Sequence, residues 1–319
     1  MDKVFFLFPG QGAQYQGMAL DLLETGTERI KVLFSLASKI FEKDLADLLH
    51  NSGSEDLKPT DISQPAITLA NLAAAAYLSE KGINPSGAAG FSLGEYSALA
   101  AAQVISEEDC LYLVTRRGKA MQAAIDRITQ DGSRAPGMAA VIGLAPEKVE
   151  ALIAEWKNKG LKDINAANIN SPKQVAVSGS AEALEEAEKR FKEAGARRFM
   201  RLAVAGPYHS PFMKDAAEEF NEALDRVEFK DPVIPLFSNV TGKQIQSGSE
   251  AKALSRRQIL EGVRWTDEEA ALAQLQPEAL LEVGPGQVLQ GLWRDSGSTI
   301  PCYGAGTAAE IDRLEKHET

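Results

Sequence analysis

The sequence predicts an α/β fold interrupted by a smaller β-α-β-β-α-β unit. Three observations carry that prediction. Short apolar, strand-like runs alternate with amphipathic helical patterns in both halves of the chain. A polar, Gly- and Pro-containing connection, TQDGSRAPG at 129–137, marks a change in the style of the sequence. From there to about residue 204 the patterns follow the order of a ferredoxin-like split βαβ unit. We therefore expect a small ferredoxin-like domain at 135–204, inserted in a larger α/β body made of 1–134 and 205–319.

The elements follow in order. KVFFLFPGQGAQ reads as a short apolar strand running into a glycine-rich turn. Its apolar stretch spans only Val4 to Phe8, and no small-residue cleavage site follows, so we expect a buried strand of a cytoplasmic protein, not a signal peptide. QPAITLANLAAAAYLSEK, 64–81, reads as a helix closed by Gly82, and SGAAGFSLGEYSALAAAQ as strand, tight turn and helix. Ser106 with Asp109 approximates a capping box ahead of CLYLVTRRGKAMQAAI. In the inserted unit, GMAAVIGL is a strand, APEKVEALIAEWKNKG a helix, DINAANINSP and QVAVSGS two strands, AEALEEAEKRFKEAG a helix and ARRFMRLAVAG a strand. The α/β pattern then resumes with a helix near 211–227, a strand VIPLFSN, a helix near 249–261, a strand ALLEVGPG and a helix near 287–295. The terminal AAEIDRLEKHET is a polar helix or a fraying tail.

Composition narrows the function. The 319 residues are 44% hydrophobic and 25% charged, as in ordinary globular proteins. No apolar run approaches the roughly 20 residues of a membrane span, so no membrane partner is expected. A net charge of −11 argues against nucleic-acid binding. It leaves room for an acidic partner on a local basic patch formed by Lys189, Arg190, Lys192, Arg197, Arg198 and Arg201. The alternative for that patch is a solvated helix face beginning with Glu182, Glu185 and Glu186. Cys110 and Cys302 form neither a disulfide framework nor a metal spacing, so no metal site is expected. No oligomerisation motif is present, and we expect a monomer.

Gly90-Phe91-Ser92-Leu93-Gly94 matches G-x-S-x-G between an apolar segment and a helical one. Such a turn exposes a serine hydroxyl at a helix N-terminus, where backbone N–H groups favour negative charge. The N–H of Leu93 is placed to donate to a tetrahedral oxyanion. A plain turn or N-cap serine is the alternative. A nucleophilic serine needs a base. His50 ends a helix and is expected to cap it or face solvent, and His317 is in the polar tail. His209 follows a strand between Pro207 and Pro211, in a rigid loop, and is the base by elimination. No triad acid is evident; polar groups of SNVTG, 238–242, and RRQILEGVRW, 256–265, are candidates to orient His209. A backbone carbonyl fixes a tautomer as well as a carboxylate does.

FPGQGAQ, GFSLGEYSAL, RRGKAMQ, AANINSPKQVAVSG, GPYHSPFM, NVTG, VRW and LLEVGPGQVLQGL occur in this order across residues 5–292. Together they resemble the malonyl-CoA:acyl-carrier-protein transacylases, a family that includes the acyltransferases of fatty-acid and polyketide synthesis. The resemblance implies an α/β-hydrolase-like core with a ferredoxin-like insert. It implies that Ser92 takes the acyl group from malonyl-CoA and that His209 serves it as base. It implies that the amide of Gln11 joins that of Leu93 in the oxyanion hole. It further implies that the Gln258 carbonyl orients His209 in a Ser-His dyad, and that Arg117 binds the malonyl carboxylate. Asn168 and Gln287 match motifs near the family's active site. The acyl acceptor would be the phosphopantetheine thiol of an acyl carrier protein, with no cofactor held by the enzyme.

Helical spacing bears on Arg117. Leu111, Val114, Gly118, Met121 and Ile125 form one stripe, which leaves Arg116 toward solvent and Arg117 on the flank, partly buried. A structural ion pair is the alternative to carboxylate binding there. Two positions depart from the family pattern. Phe91 stands where the family often has histidine, and Tyr208 where malonyl-selective members often have phenylalanine. The tyrosine adds a hydroxyl within reach of the acyl chain. An acyl hydrolase on the same scaffold, an acyltransferase with a different extender unit, and a non-catalytic carrier-binding protein are the competing functions.

Overall fold

The computed structural model describes residues 3–53, 55–130 and 134–316; His317 and the centre of the 129–137 connection lie outside them. The first half holds β1 (Val4–Phe8), α1 (Leu20–Glu24), α2 (Glu28–Phe41), α3 (Leu45–Asn51), α4 (Thr60–Glu80), β2 (Gly87–Gly90), α5 (Gly94–Ala101) and α6 (Glu107–Thr129). The middle holds β3 (Gly137–Ile142), α7 (Pro146–Asn158), β4 (Ile164–Ser171), β5 (Gln174–Gly179), α8 (Ala181–Glu193) and β6 (Arg198–Arg201). After a 3-10 turn at Pro211–Met213 come α9 (Lys214–Asp225), α10 (Gly248–Gln258), α11 (Trp265–Gln274), β7 (Ala279–Glu282), α12 (Val288–Asp295), β8 (Cys302–Gly304) and α13 (Ala308–Lys316).

The architecture is mixed α/β with two sheets. The first is parallel, in the order β2-β1-β7-β8. Every residue of β1 is buried, as a parallel strand covered by helices on both faces requires. The second sheet is antiparallel, in the order β4-β5-β3-β6, and comes from the continuous segment 137–201. Its strands alternate by face. Val141, Val175 and Val177 pack against α7 and α8 in a separate core that includes Trp156 and Phe191. Met138 and Ala176 on the opposite face join the core of the larger body. The second sheet therefore covers the first body with its helix-free face.

Two expectations need correction. VIPLFSN forms no strand; it makes one isolated bridge to β2, Leu236 to Ala88, and another, Phe237 to Gln244, outside both sheets. Pro235 has no N–H to continue a ladder, so only its carbonyl pairs, accepting from the Ala88 amide at 2.8 Å. The helix expected at 64–81 begins a turn earlier, at Thr60, and carries Pro65 inside it. The capping of α6 is as expected, with Ser106 Oγ accepting from the Asp109 amide at 3.0 Å. No helix among the described residues is long and apolar enough to cross a membrane.

The crossing of α4 and α6 sets the position of Arg117. The stripe from Leu111 to Ile125 is buried, and at its centre Gly118 lets α6 press onto the first turn of α4. A Cβ on Gly118 would stand 2.7 Å from the Thr60 carbonyl oxygen. Alanine there gains about 1 kcal/mol of helix propensity, but overpacking a well-filled contact costs about 1–3 kcal/mol. The steric term wins. Gly118→Ala is expected to lower the unfolding free energy by up to about 2 kcal/mol in denaturant titration, whereas Gly137→Ala, with open space around its Cβ, stays neutral or gains stability.

Candidate active site

The chain leaves β2 at Gly90, turns sharply and enters α5 at Gly94. Ser92 sits at the apex with φ +50°, a left-handed conformation that costs a non-glycine residue about 1–3 kcal/mol. The flanking glycines are required by close approach. A Cβ on Gly90 would lie 2.1 Å from the Gly94 carbonyl, and one on Gly94 2.0 Å from the Phe8 carbonyl oxygen. Polar bonds hold the strained peptide on both sides. The Ser92 amide donates to Asn239 Oδ1 at 2.7 Å, and the Ser92 carbonyl accepts from Gln258 Nε2 at 2.9 Å.

His209 meets this serine. Its Nε2 is 2.8 Å from Ser92 Oγ. Its Nδ1 donates to the carbonyls of Gln258 at 2.9 Å and Glu261 at 3.0 Å. That fixes the tautomer with Nε2 as the acceptor, ready for the serine proton. The carbonyl of Glu261 is an orienter the sequence did not single out. Burial, reinforced by the positive charge of Arg117, lowers the His209 pKa to about 4, so the imidazole is neutral at ordinary pH.

Arg117 is more deeply placed than the helical spacing suggested: 1% exposed instead of partly buried. Its Nη1 donates to Gln64 Oε1 at 2.9 Å and its Nη2 to Gln258 Oε1 at 3.1 Å, and the guanidinium lies over the Tyr96 ring at 5.6 Å. Its Nε has no acceptor, and no carboxylate among the described residues forms an ion pair with it. The structural ion pair considered as its alternative role is therefore absent among those residues. Desolvation lowers its pKa, yet an arginine stays charged. A buried cation with neutral amide partners and a spare donor is suited to a carboxylate from outside.

The sequence missed the network behind these groups. Asn239, fully buried, donates from Nδ2 to the Gly90 carbonyl at 2.7 Å and to Glu268 Oε1 at 2.8 Å. Its backbone amide donates to Glu95 Oε2 at 2.9 Å. SNVTG was a candidate to orient His209; it holds the backbone around Ser92 instead. Glu95, whose other donor is Gln258 Nε2 at 3.1 Å, has its pKa pushed by burial to about 7. Burial likewise lifts Glu268 far above the ordinary carboxylate range. A lone glutamate inside the apolar run GEYSALAAA was the available signal for Glu95.

A cavity of about 160 Å³ opens on the dyad between the two sheets. Gln11, Phe91, Leu93, Arg117, Asn168 and Tyr208 line it together with Ser92 and His209. The turn carrying Gln11 rests on the elbow, since a Cβ on the adjacent Gly10 would be 2.3 Å from the Phe91 carbonyl oxygen and 3.5 Å from the Leu93 amide. The backbone amides of Gln11 and Leu93 find no acceptor among the described residues. Phe91 packs edge-on against Trp265 at 5.4 Å. The Tyr208 hydroxyl is bonded to Thr60 and Gln11 rather than left free for an acyl chain. Gln287 is not part of the cavity wall; it is the exposed residue preceding α12. His50 is exposed at the end of α3. Of the basic patch, Lys189, Arg190 and Lys192 pair with Glu186 or Glu188 of their own helix. Arg197, Arg198 and Arg201 are exposed and form no ion pair among the described residues.

Comparison with known proteins follows from this geometry. The family model of the acyl transferase domain matches residues 5–311. The chain is 37% identical over 292 residues to the malonyl CoA-acyl carrier protein transacylase of Bacillus subtilis (strain 168), covering 92% of this chain and 90% of that protein. The crystal structure of an acyl carrier protein S-malonyltransferase from Vibrio cholerae superposes with a TM-score of 0.90 at 35% identity, covering 98% of this chain and 100% of that one. A structure described as a type II polyketide synthase acyl-carrier protein in complex with its malonyl-transacylase superposes with a TM-score of 0.90 at 34% identity, covering 99% and 100%.

The histidine environment sets a pH profile. A base with pKa about 4 is neutral, and active, above that value. At pH 5 about nine-tenths of His209 would be neutral, against ~3% for an imidazole at the ordinary 6.5. The acid limb of Ser92 acylation, followed as kcat/KM, is expected near pH 4, with less than a twofold loss between pH 7 and pH 5.

Proposed function

The chain belongs to the acyl transferase domain family, and from that premise we propose that it moves a malonyl group from malonyl-CoA to the phosphopantetheine thiol of an acyl carrier protein. The observation that carries the reading is Arg117, buried in the same cavity as the Ser92–His209 pair, bonded to Gln64 and Gln258 and in no ion pair among the described residues. The seat of a cation fits a free acid on the acyl group, and a bidentate guanidinium–carboxylate contact distinguishes malonyl from acetyl.

The residues then take these roles. Ser92 Oγ attacks the thioester carbonyl while His209 Nε2 takes the serine proton. The negative oxygen that develops is held by the amides of Leu93 and Gln11. The C–S bond breaks, the proton on His209 passes to the departing CoA sulfur, and malonyl-Ser92 remains. The carrier's thiol enters, loses its proton to His209 and attacks the ester, and Ser92 Oγ recovers the proton as it leaves. Thioester is exchanged for thioester, so the step requires no external energy source, and the phosphopantetheine arrives on the partner. Asn168 and Phe91 shape the cavity wall around the substrate. The sheet order supports reading 135–204 as a ferredoxin-like insert in an α/β-hydrolase-like body formed by 1–134 and 205–319.

The test is the intact mass of the protein after incubation with malonyl-CoA or acetyl-CoA. A malonyl adduct is expected on the wild type, absent in Ser92→Ala and discharged by adding carrier protein. Release of CoA without an adduct would favour a hydrolase. Removing a buried charged partner is worth about 2–5 kcal/mol, so Arg117→Gln is expected to lose about 100-fold in kcat/KM for malonyl-CoA while acetyl-CoA is affected far less.

Carrier proteins of acidic character would meet Arg197, Arg198 and Arg201, the unpaired cations of β6 and its approach, which leads through Leu202 and Val204 into the cavity wall. The double reversal Arg197→Glu and Arg198→Glu is expected to raise KM for the carrier about tenfold at low salt, with malonyl-CoA acylation unchanged. Equal losses in both half-reactions would remove β6 as the docking strand.

A further inference from the structure

Three segments far apart in the chain meet at one pair of hydroxyls. The Tyr208 hydroxyl lies 2.5 Å from Thr60 Oγ1. The side-chain amide of Gln11 donates to both oxygens, at 3.2 Å each. Thr60 is fully buried and Tyr208 7% exposed. Thr60 is itself fastened, because its backbone amide donates to Gln122 Oε1 on α6 at 3.0 Å. Tyr208 immediately precedes His209. The triangle therefore ties the turn after β1 to the head of α4 and to the histidine loop.

Gln11 needs such a tie. It sits in a partly exposed turn, outside any helix or strand. An amide that receives a developing oxyanion is effective only when it is held in place before the charge appears. The aromatic ring of residue 208 contributes nothing to this; the hydroxyl does. We propose that the Tyr208 hydroxyl is a positioning group that, with Thr60, pins Gln11 so that its backbone amide stands beside that of Leu93 in the oxyanion hole. This rests on the acyl-transfer reading above. It also separates two possible jobs for the hydroxyl: holding the oxyanion hole, or touching the acyl chain and choosing between acyl groups.

The experiment is single-turnover acylation of Ser92, followed by CoA release and intact mass, for wild type, Tyr208→Phe, Gln11→Ala and the double variant. Losing an oxyanion donor outright costs about 10²–10³-fold, and loosening one costs less. Tyr208→Phe is expected to slow acylation about 5–30-fold at saturation, with KM within about twofold. The slowing should be the same for malonyl-CoA and acetyl-CoA. In the Gln11→Ala background the same substitution should have no further effect. Tyr208→Phe should still reach one acyl group per chain, more slowly, which distinguishes a misplaced donor from a partly unfolded population. An unchanged rate, an altered malonyl-to-acetyl ratio, or a full effect persisting in Gln11→Ala would overturn the proposal. A wild type that forms no acyl-Ser92 at all would overturn the acyl-transfer reading and this inference with it.

Discussion

The site depends on how the Ser92 peptide is held. A left-handed serine between two touching glycines is unfavourable by itself. Its amide and carbonyl are each tied to a side-chain amide, Asn239 on one side and Gln258 on the other. Both amides are buried and bonded to each other at 3.3 Å. Leaving a buried polar group unpaired costs about 1–3 kcal/mol, the same order as the backbone strain. The bonds of Asn239 and Gln258 are therefore large enough to decide whether the elbow keeps its shape. Gln258 does more than one thing from one position, since its carbonyl accepts from His209 Nδ1 and its side chain accepts from Arg117. Ser92, His209 and Arg117 share a single reference point at the end of α10.

The electrostatics follow from that sharing. Buried around Gln258 are one cation, one imidazole and the carboxyl of Glu95, with Glu268 beyond Asn239. Burial drives His209 toward its neutral form, and Arg117 reinforces it. Burial also raises Glu95 and Glu268, which brings their neutral forms into reach. The groups bonded to Arg117, Gln64 and Gln258, are uncharged, and Glu95 acts on it only through its field, without an ion pair. Burial favours the neutral carboxyl of Glu95, which leaves Arg117 incompletely compensated and open to a further carboxylate.

How much of this was legible follows from the range of the interactions. The elbow could be read because glycine spacing and the strand-to-helix change are local. The small sheet could be read because period-2 strands and capped helices alternate within 137–201. Arg117 was found, but a helical stripe records only one packing face; α4 covers the flank through Gln64 and buries it. Asn239 was misjudged because the backbone it holds lies 147 residues away, at Ser92, and no periodicity reports such a contact. VIPLFSN was read as a strand from its β-branched and aromatic residues, and Pro235 outweighed them. Gln287 shared a motif with the family yet sits exposed ahead of α12, where Glu282 takes the free amides of Leu289 and Gln290. The motif there serves a helix start.

Among the described residues no carboxylate is bonded to His209, and this has a chemical consequence for the proposed reaction. Two carbonyls orient the ring without adding a negative charge, and the imidazole keeps a pKa near 4. A thiol of pKa about 8.5 gives its proton to such a base far more readily than an alcohol or water of about 15.7 does. The serine proton therefore moves only as the new C–O bond forms and the oxyanion amides take up the charge. The imidazolium so formed is a strong acid, which suits return of the proton to Ser92 Oγ when the carrier's thiol displaces it. A weak base does not by itself distinguish water from serine, so protecting the acyl group from solvent falls to the cavity of about 160 Å³ around it and to the thiol that a partner delivers there.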